Sequence, residues 1–227
     1  MTMASVLMVA ASGLAREAIA SIRETGDHQI VGVLDDDPSL HGRQVAGARV
    51  LGGIELAAQS GDKFLVCAGS GSARAAIVSR LESLGVMPER FVTHVHVSAV
   101  VGNGSTIGAG SIVLAGSVLT ADVRVGRHVV MMPGVTLTHD NAVADYATFA
   151  AGVSVGGRVG IGRCAYLGMN ASVRQNVHVG EQAVLGMGSV LLRDLPAGQT
   201  WVGNPARAIN RADLRPDMAT PQGGDAS

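Results

Sequence analysis

One short run combines the side chains that acid–base chemistry needs. Thr138-His139-Asp140-Asn141 sets an imidazole directly before a carboxylate. Histidine titrates near neutral pH, and a neighbouring carboxylate suits it to act as a general base. The same four residues suit a solvated polar turn equally well. A second group is the loop Ser12-Gly13-Leu14, which follows one apolar run and opens a helical one. N–H groups at a helix start can hold a phosphate. Asp35 and Asp36 close the next apolar run, the edge where nucleotide-binding sheets collect ligands. The loop reads A-A-S-G-L-A, short of the G-x-G-x-x-G dinucleotide fingerprint, so it lends NAD little support. A tight turn beside a solvated acidic loop remains open. Gly69-Ser70-Gly71 forms a similar turn before a second helical run.

Other reactive residues point to less. The chain has seven histidines, of which His128, His139 and His178 lie 11 and 39 residues apart in the repeat region. A metal shared between stacked coils of about 18 residues would need spacings near that period, so no metal is expected. His128 and His178 read as surface residues. Cys67 and Cys164 sit in apolar runs and read as buried free thiols, neither paired nor nucleophilic.

The element that must position His139 is a repeat. Every sixth residue from Val101 to Leu191 is Val, Ile, Leu, Met or Phe. Four places after each lead residue stands a small or aliphatic one, and Asn141 is the polar exception. A period of six fits neither a helix nor an alternating strand; it marks a hexapeptide parallel β-helix. Three units close a triangular coil, and the lead aliphatics stack inward at roughly 4.8 Å. His139 holds the third place of its unit, outside that stack. A polar cluster in an aliphatic ladder is a local rule broken, which is where sites tend to be.

Before the repeat, apolar runs alternate with helical ones. Ser5–Ala11, His28–Leu34 and Lys63–Ala68 read as strands, Arg16–Thr25 and Ala73–Leu84 as helices stopped by Gly26 and Gly85. Phe91–His94 reads as a last strand of this part. The pattern implies βαβ units and a small Rossmann-like sheet. The expected fold is thus an α/β Rossmann-like domain, residues 1–92, followed by a parallel β-helix, residues 93–209. Ala206–Leu214 reads as a short helix on the last coil, and the Pro-, Gly- and Asp-rich end, 210–227, as a disordered tail.

Composition narrows the class. Of 227 residues 31 are Gly and only 3% are aromatic, which suits a solenoid. A net charge of −1 suggests no nucleic-acid or anionic-membrane partner. The apolar start, MTMASVLMVAASGLA, lacks a basic leader and reads as a first strand. No run of 18 or more unbroken apolar residues occurs. A soluble, cytoplasmic protein is expected.

Several stretches together resemble the NeuD/PglD-like sugar acetyltransferases: AASGLAREA, LDDDPSLHGRQVAGARVLGG, VCAGSGSAR, THDNAVADYATFAAGVSVGGRVGIG and the closing VGNPAR. The resemblance spans residues 5 to about 209. It implies a left-handed coil, a homotrimer and acetyl-CoA as co-substrate between adjacent prisms, without a metal. His139 matches the family's general base and Asp140 the acidic residue that raises its basicity. Gly157 would donate its N–H to the developing oxyanion, while Thr148, Met169 and Met187 match CoA contacts. Ser12, Gly13, Leu14, Asp35, Asp36 and Gly69 match the binding site of a nucleotide-linked amino sugar. Two positions depart from the family: Gly13-Leu14-Ala15 stands where Gly-His-Gly is frequent, and Thr148 where a second His is frequent. The implied activity is N-acetylation of that amino sugar. The alternatives are O-acetylation of sialic acid or another sugar hydroxyl, and a non-catalytic nucleotide-sugar-binding trimeric scaffold.

Overall fold

The structure, a computed structural model, describes residues 3–209. Its first part is a five-stranded sheet of β1 (Ala4–Val9), β2 (His28–Leu34), β3 (Gln44–Val45), β4 (Ala48–Gly52) and β5 (Lys63–Val66). The order is β3-β4-β2-β1-β5, parallel except for the β3–β4 hairpin. Helix α1 (Gly13–Thr25) connects β1 to β2, and α2 (Gly71–Ser83) follows β5.

Local sequence explains both helices. Leu14, Ala15, Ala18, Ile19 and Ile22 recur at helical spacing and form the buried face of α1. Ser12 caps it, accepting from the Ala15 N–H at 3.2 Å and donating to the Cys67 carbonyl. Gly26 ends it at φ +66°, a left-handed conformation that glycine adopts without a Cβ penalty. Ser70 caps α2 in the same way.

From His94 onward the chain winds as two-residue strands joined by corners. The register between coils is 18 residues up to the last turn, as in Thr136↔Ser154 and Leu137↔Val155, and shortens to 16 there, at Val184↔Thr200 and Leu185↔Trp201. Three parallel sheets result, led by His94–Val95, Val100–Val101 and Thr106–Ile107. The lead residues stack inside: Met131, Phe149, Leu167 and Leu185 form one fully buried column. Burying each contributes roughly 1.5–3 kcal/mol. The ladder weakens only at its open start, where Val101 is 43% exposed.

Three sequence expectations change here. Phe91 does touch the first sheet, through a single bridge to Phe64, but His94–Val95 pairs with Ile112–Val113 and belongs to the coil. The segment after Ala206 does not begin a helix: Arg207–Ile209 pairs antiparallel with Thr200–Val202. Among the described residues no further coil follows the last one, and this returning strand supplies its backbone partners. The remainder of that expected helix and the expected tail lie outside the described residues.

The third change concerns His128, which is fully buried rather than at the surface. Coil corners do face outward, but the first part of the chain covers this one. The His128 ring stacks on Tyr146 at 5.2 Å and meets the edge of Phe91 at 4.9 Å. Tyr146 and Cys164, on the same corner of the next two coils, share a core with Val78 and Leu81 of α2. Gly71 makes this approach possible, since a Cβ there would lie 2.2 Å from the Tyr146 carbonyl oxygen. His178 is exposed, as expected.

Candidate active site

His139 occupies the corner after Thr136–Leu137, and its side chain is half exposed. The corner is held from three directions. The Thr138 hydroxyl donates to the Val155 carbonyl at 2.9 Å. Asn141 donates to the Thr138 carbonyl at 2.9 Å and accepts the Val159 N–H at 2.8 Å. Asn141 itself is fully buried, and Ser105 does the same for Val123 two coils earlier in the same column. The polar exception in the ladder is therefore a lock for the corner, not a group presented to a ligand. Asp140 takes the left-handed conformation, φ +59°, which a short polar side chain tolerates.

Nδ1 of His139 lies 2.7 Å from Oδ2 of Asp140. A carboxylate accepts only, so in the neutral ring Nδ1 carries the hydrogen and Nε2 keeps its lone pair. Gly157 stands one coil further on at the same corner place. A Cβ on it would lie 2.4 Å from Nε2, so the imidazole rests on the glycine backbone. Gly157→Ala is expected to push the ring off this position while the coil stays folded, since φ at 157 is not left-handed. We expect turnover to fall about 10²-fold with little change in melting temperature. Unchanged turnover in a steady-state assay would show that the ring position is immaterial.

A second concavity lies away from this corner. A cleft of ≈ 570 Å³ opens between the start of α1 and the coil, lined by Gly13, Leu14, Gly69, Thr148, Tyr166 and Met169 among others. It therefore joins residues assigned by resemblance to the acceptor (Gly13, Leu14, Gly69) with two assigned to CoA (Thr148, Met169). Thr148 is buried, and its hydroxyl donates to the Gly69 carbonyl at 3.1 Å. Met187 lies one coil beyond Met169 and is largely exposed. The cleft faces the sheet of Val130–Met131 and Thr148–Phe149, whereas His139 sits where the other two sheets meet. A single chain does not bring the two together.

The Rossmann-like sheet part of the chain matches the PglD N-terminal domain family over residues 5–81. The structure superposes on PerB from Caulobacter crescentus, solved with CoA and GDP-perosamine, with TM-score 0.83 and 26% identity over 92% of this chain and 99% of that one. The acetyltransferase domain of PglB from Neisseria gonorrhoeae, solved with acetyl coenzyme A, gives 0.83 and 26% over 92% and 100%. WeeI from Acinetobacter baumannii gives 0.82 and 28% over 92% and 100%. Residues 5–81 belong to the PglD N-terminal domain family, and the chain shares the fold of these acetyltransferases. No curated protein sequence matches it. The fold it shares with these structures is an α/β domain followed by a left-handed β-helix.

The remaining residues singled out in the sequence fall less simply. Ser12 is engaged as the α1 cap. Asp35 accepts the N–H groups of Ala11 (2.7 Å) and Asp37 (2.9 Å), and Asp36 accepts that of Ile54 (3.0 Å) and pairs with Arg80. Both carboxylates thus shape the loops at the sheet edge. Burial pushes the Cys67 thiol up to about 12 and raises that of Cys164, so neither supplies a thiolate near neutral pH. Among the described residues, no group of His, Cys, Asp or Glu is arranged to hold a metal, and no helix is long and apolar enough to cross a membrane. Sequence reasoning overlooked Tyr166, an outward residue of the coil that borders the cleft, and Arg74, which lies behind it. A period-six count records inward positions and says nothing about which outward ones the first part covers.

Proposed function

We propose that this chain transfers the acetyl group of acetyl-CoA to the amino group of a nucleotide-linked amino sugar. Residues 1–92 hold the nucleotide sugar and residues 93–209 carry the transfer. The observation that supports this best is the His139–Asp140 pair, with Nε2 over Gly157, on a fold that PerB, solved with CoA and GDP-perosamine, shares. Acetyl-CoA supplies an activated thioester. His139 Nε2 takes the proton that the amine loses as it attacks, then returns one to the departing thiolate. Asp140 holds the ring in place and fixes the tautomer. The Gly157 N–H donates to the carbonyl oxygen as it gains charge.

Because the cleft and the His139 corner lie on different sides of one prism, the working unit is proposed to be a homotrimer. The cleft of one subunit then faces His139 of its neighbour. A panel of UDP-, GDP- and dTDP-linked 4-amino sugars, with hydroxyl counterparts and sialic acid, tests the reaction through release of free CoA thiol. Thiol release is expected with an amine acceptor and not with its hydroxyl counterpart. Release with hydroxyl sugars alone would replace N- by O-acetylation, and binding without release would leave a scaffold.

A further inference from the structure

Arg74, on the first turn of α2, is completely buried. Its Nε donates to the His128 carbonyl (2.9 Å), and Nη1 to those of Ala68 (2.7 Å) and Gly69 (3.1 Å). Nη2 donates to the carbonyls of Tyr146 (2.9 Å) and Ala147 (3.1 Å) and to the Thr148 hydroxyl (2.9 Å). Every acceptor is neutral, and among the described residues no carboxylate pairs with the guanidinium. Burial lowers its pKa to about 10, which leaves it charged at neutral pH.

Stability explains this arrangement poorly. Buried charges are often replaced by apolar groups of similar volume without loss of stability. What a planar five-donor fork supplies, and an apolar group does not, is fixed geometry. The fork here straddles two parts of the chain: the loop after β5 on one side, and the coil from His128 to Thr148 on the other. Two of its acceptors, Gly69 and Thr148, also line the ≈ 570 Å³ cleft, and they bond to each other. Gly71, which abuts the Tyr146 carbonyl, leaves no space for the loop to settle closer.

We propose that Arg74 is a positioning residue: it sets the Gly69 wall of the cleft against the Thr148 wall, and so sets acceptor affinity without touching the reacting atoms. This rests on the reading that the acceptor occupies the cleft. Three variants test it: Arg74→Met, Arg74→Lys, which keeps charge but loses the fork, and Thr148→Val, which removes one shared acceptor. Hydrogen exchange is expected to quicken in segments 67–71 and 146–149 and to stay unchanged in the distant coils 172–191. The acceptor KM is expected to rise about tenfold in Arg74→Lys, with kcat changed less than about threefold, since hydrogen bonds to both walls are lost. Thr148→Val should move in the same direction by less. Unchanged exchange, or faster exchange without a rise in KM, overturns the proposal. So does a uniform loss, in which exchange rises through the whole coil and kcat falls together with binding of both substrates. If Arg74→Met does not fold, the other two variants carry the test. Should the wild-type protein turn over no nucleotide-linked amino sugar, the proposed function fails, and the exchange measurement alone still decides whether Arg74 holds the two walls.

Discussion

His139→Ala is expected to lower the rate of acetyl transfer by about 10²–10⁴-fold, the range for loss of a positioned general base. Folding should survive. The side chain is half exposed, and the backbone role of the residue, accepting the Arg158 N–H at 3.0 Å, does not need the imidazole. The corner remains locked by Thr138 and Asn141. Binding of CoA and acceptor, followed by calorimetry, should change little, which separates a lost base from a lost site. Near-wild-type turnover would remove His139 from the mechanism. The same variant tests assembly. Gly69→Phe should fill the cleft, for nothing lies within 4 Å of a Cβ there. Each single variant is expected to be inactive. In a random equal mixture, each mixed trimer holds one pairing of intact cleft with intact His139, so activity returns to about a quarter of wild type. If mixing restores nothing while mixed trimers form, cleft and base act within one chain.

The solenoid was legible because its code is one-dimensional. A lead aliphatic every six residues states the strand, its inward face and the 18-residue register at once, and Leu137 over Val155 follows from counting. His139 is a candidate for a different reason: an imidazole stands beside a carboxylate at outward places that the count leaves free. Asn141 alone breaks the count, and it serves the backbone. Pattern alone cannot separate a side chain turned to its own corner from one turned to a ligand. The docking of the first part onto the coil was not legible at all. It depends on which outward positions lie under α2, and those carry no period. The repeat pattern therefore places His128 at the surface, gives no signal for Arg74, and does not reveal that the Thr148 hydroxyl bonds to Gly69. The two carboxylates Asp35 and Asp36 illustrate the reverse case: the sequence marks the ligand-collecting edge, while the structure shows them occupied by backbone N–H groups there.

The buried His128 gives the coil–α2 junction a pronounced sensitivity to acid. Burial above all, then the charges of Arg127 and Arg74, lowers its pKa to about 4, with Asp145 opposing. Neither ring nitrogen has a hydrogen-bond partner among the described residues, so nothing inside compensates a proton. The unfolded chain protonates this histidine below about pH 6.5, whereas the folded protein resists until about pH 4. A depressed pKa contributes stability that is fully present above the unfolded value and is lost as pH falls to the folded one. Between pH 6.5 and 4 the loss should reach about 3 kcal/mol. His94, also lowered by burial, adds in the same direction. His128→Asn suits the left-handed backbone, φ +54°, and removes the titration. It forfeits the contacts with Tyr146 and Phe91, so it should be less stable at pH 7, and the informative quantity is the slope with pH. Denaturant unfolding at constant protein concentration should show the wild-type advantage shrinking by about 3 kcal/mol between pH 7 and pH 4. An advantage equal at both pH values would mean that the folded protein admits the proton at little cost, and that the junction opens to water around His128.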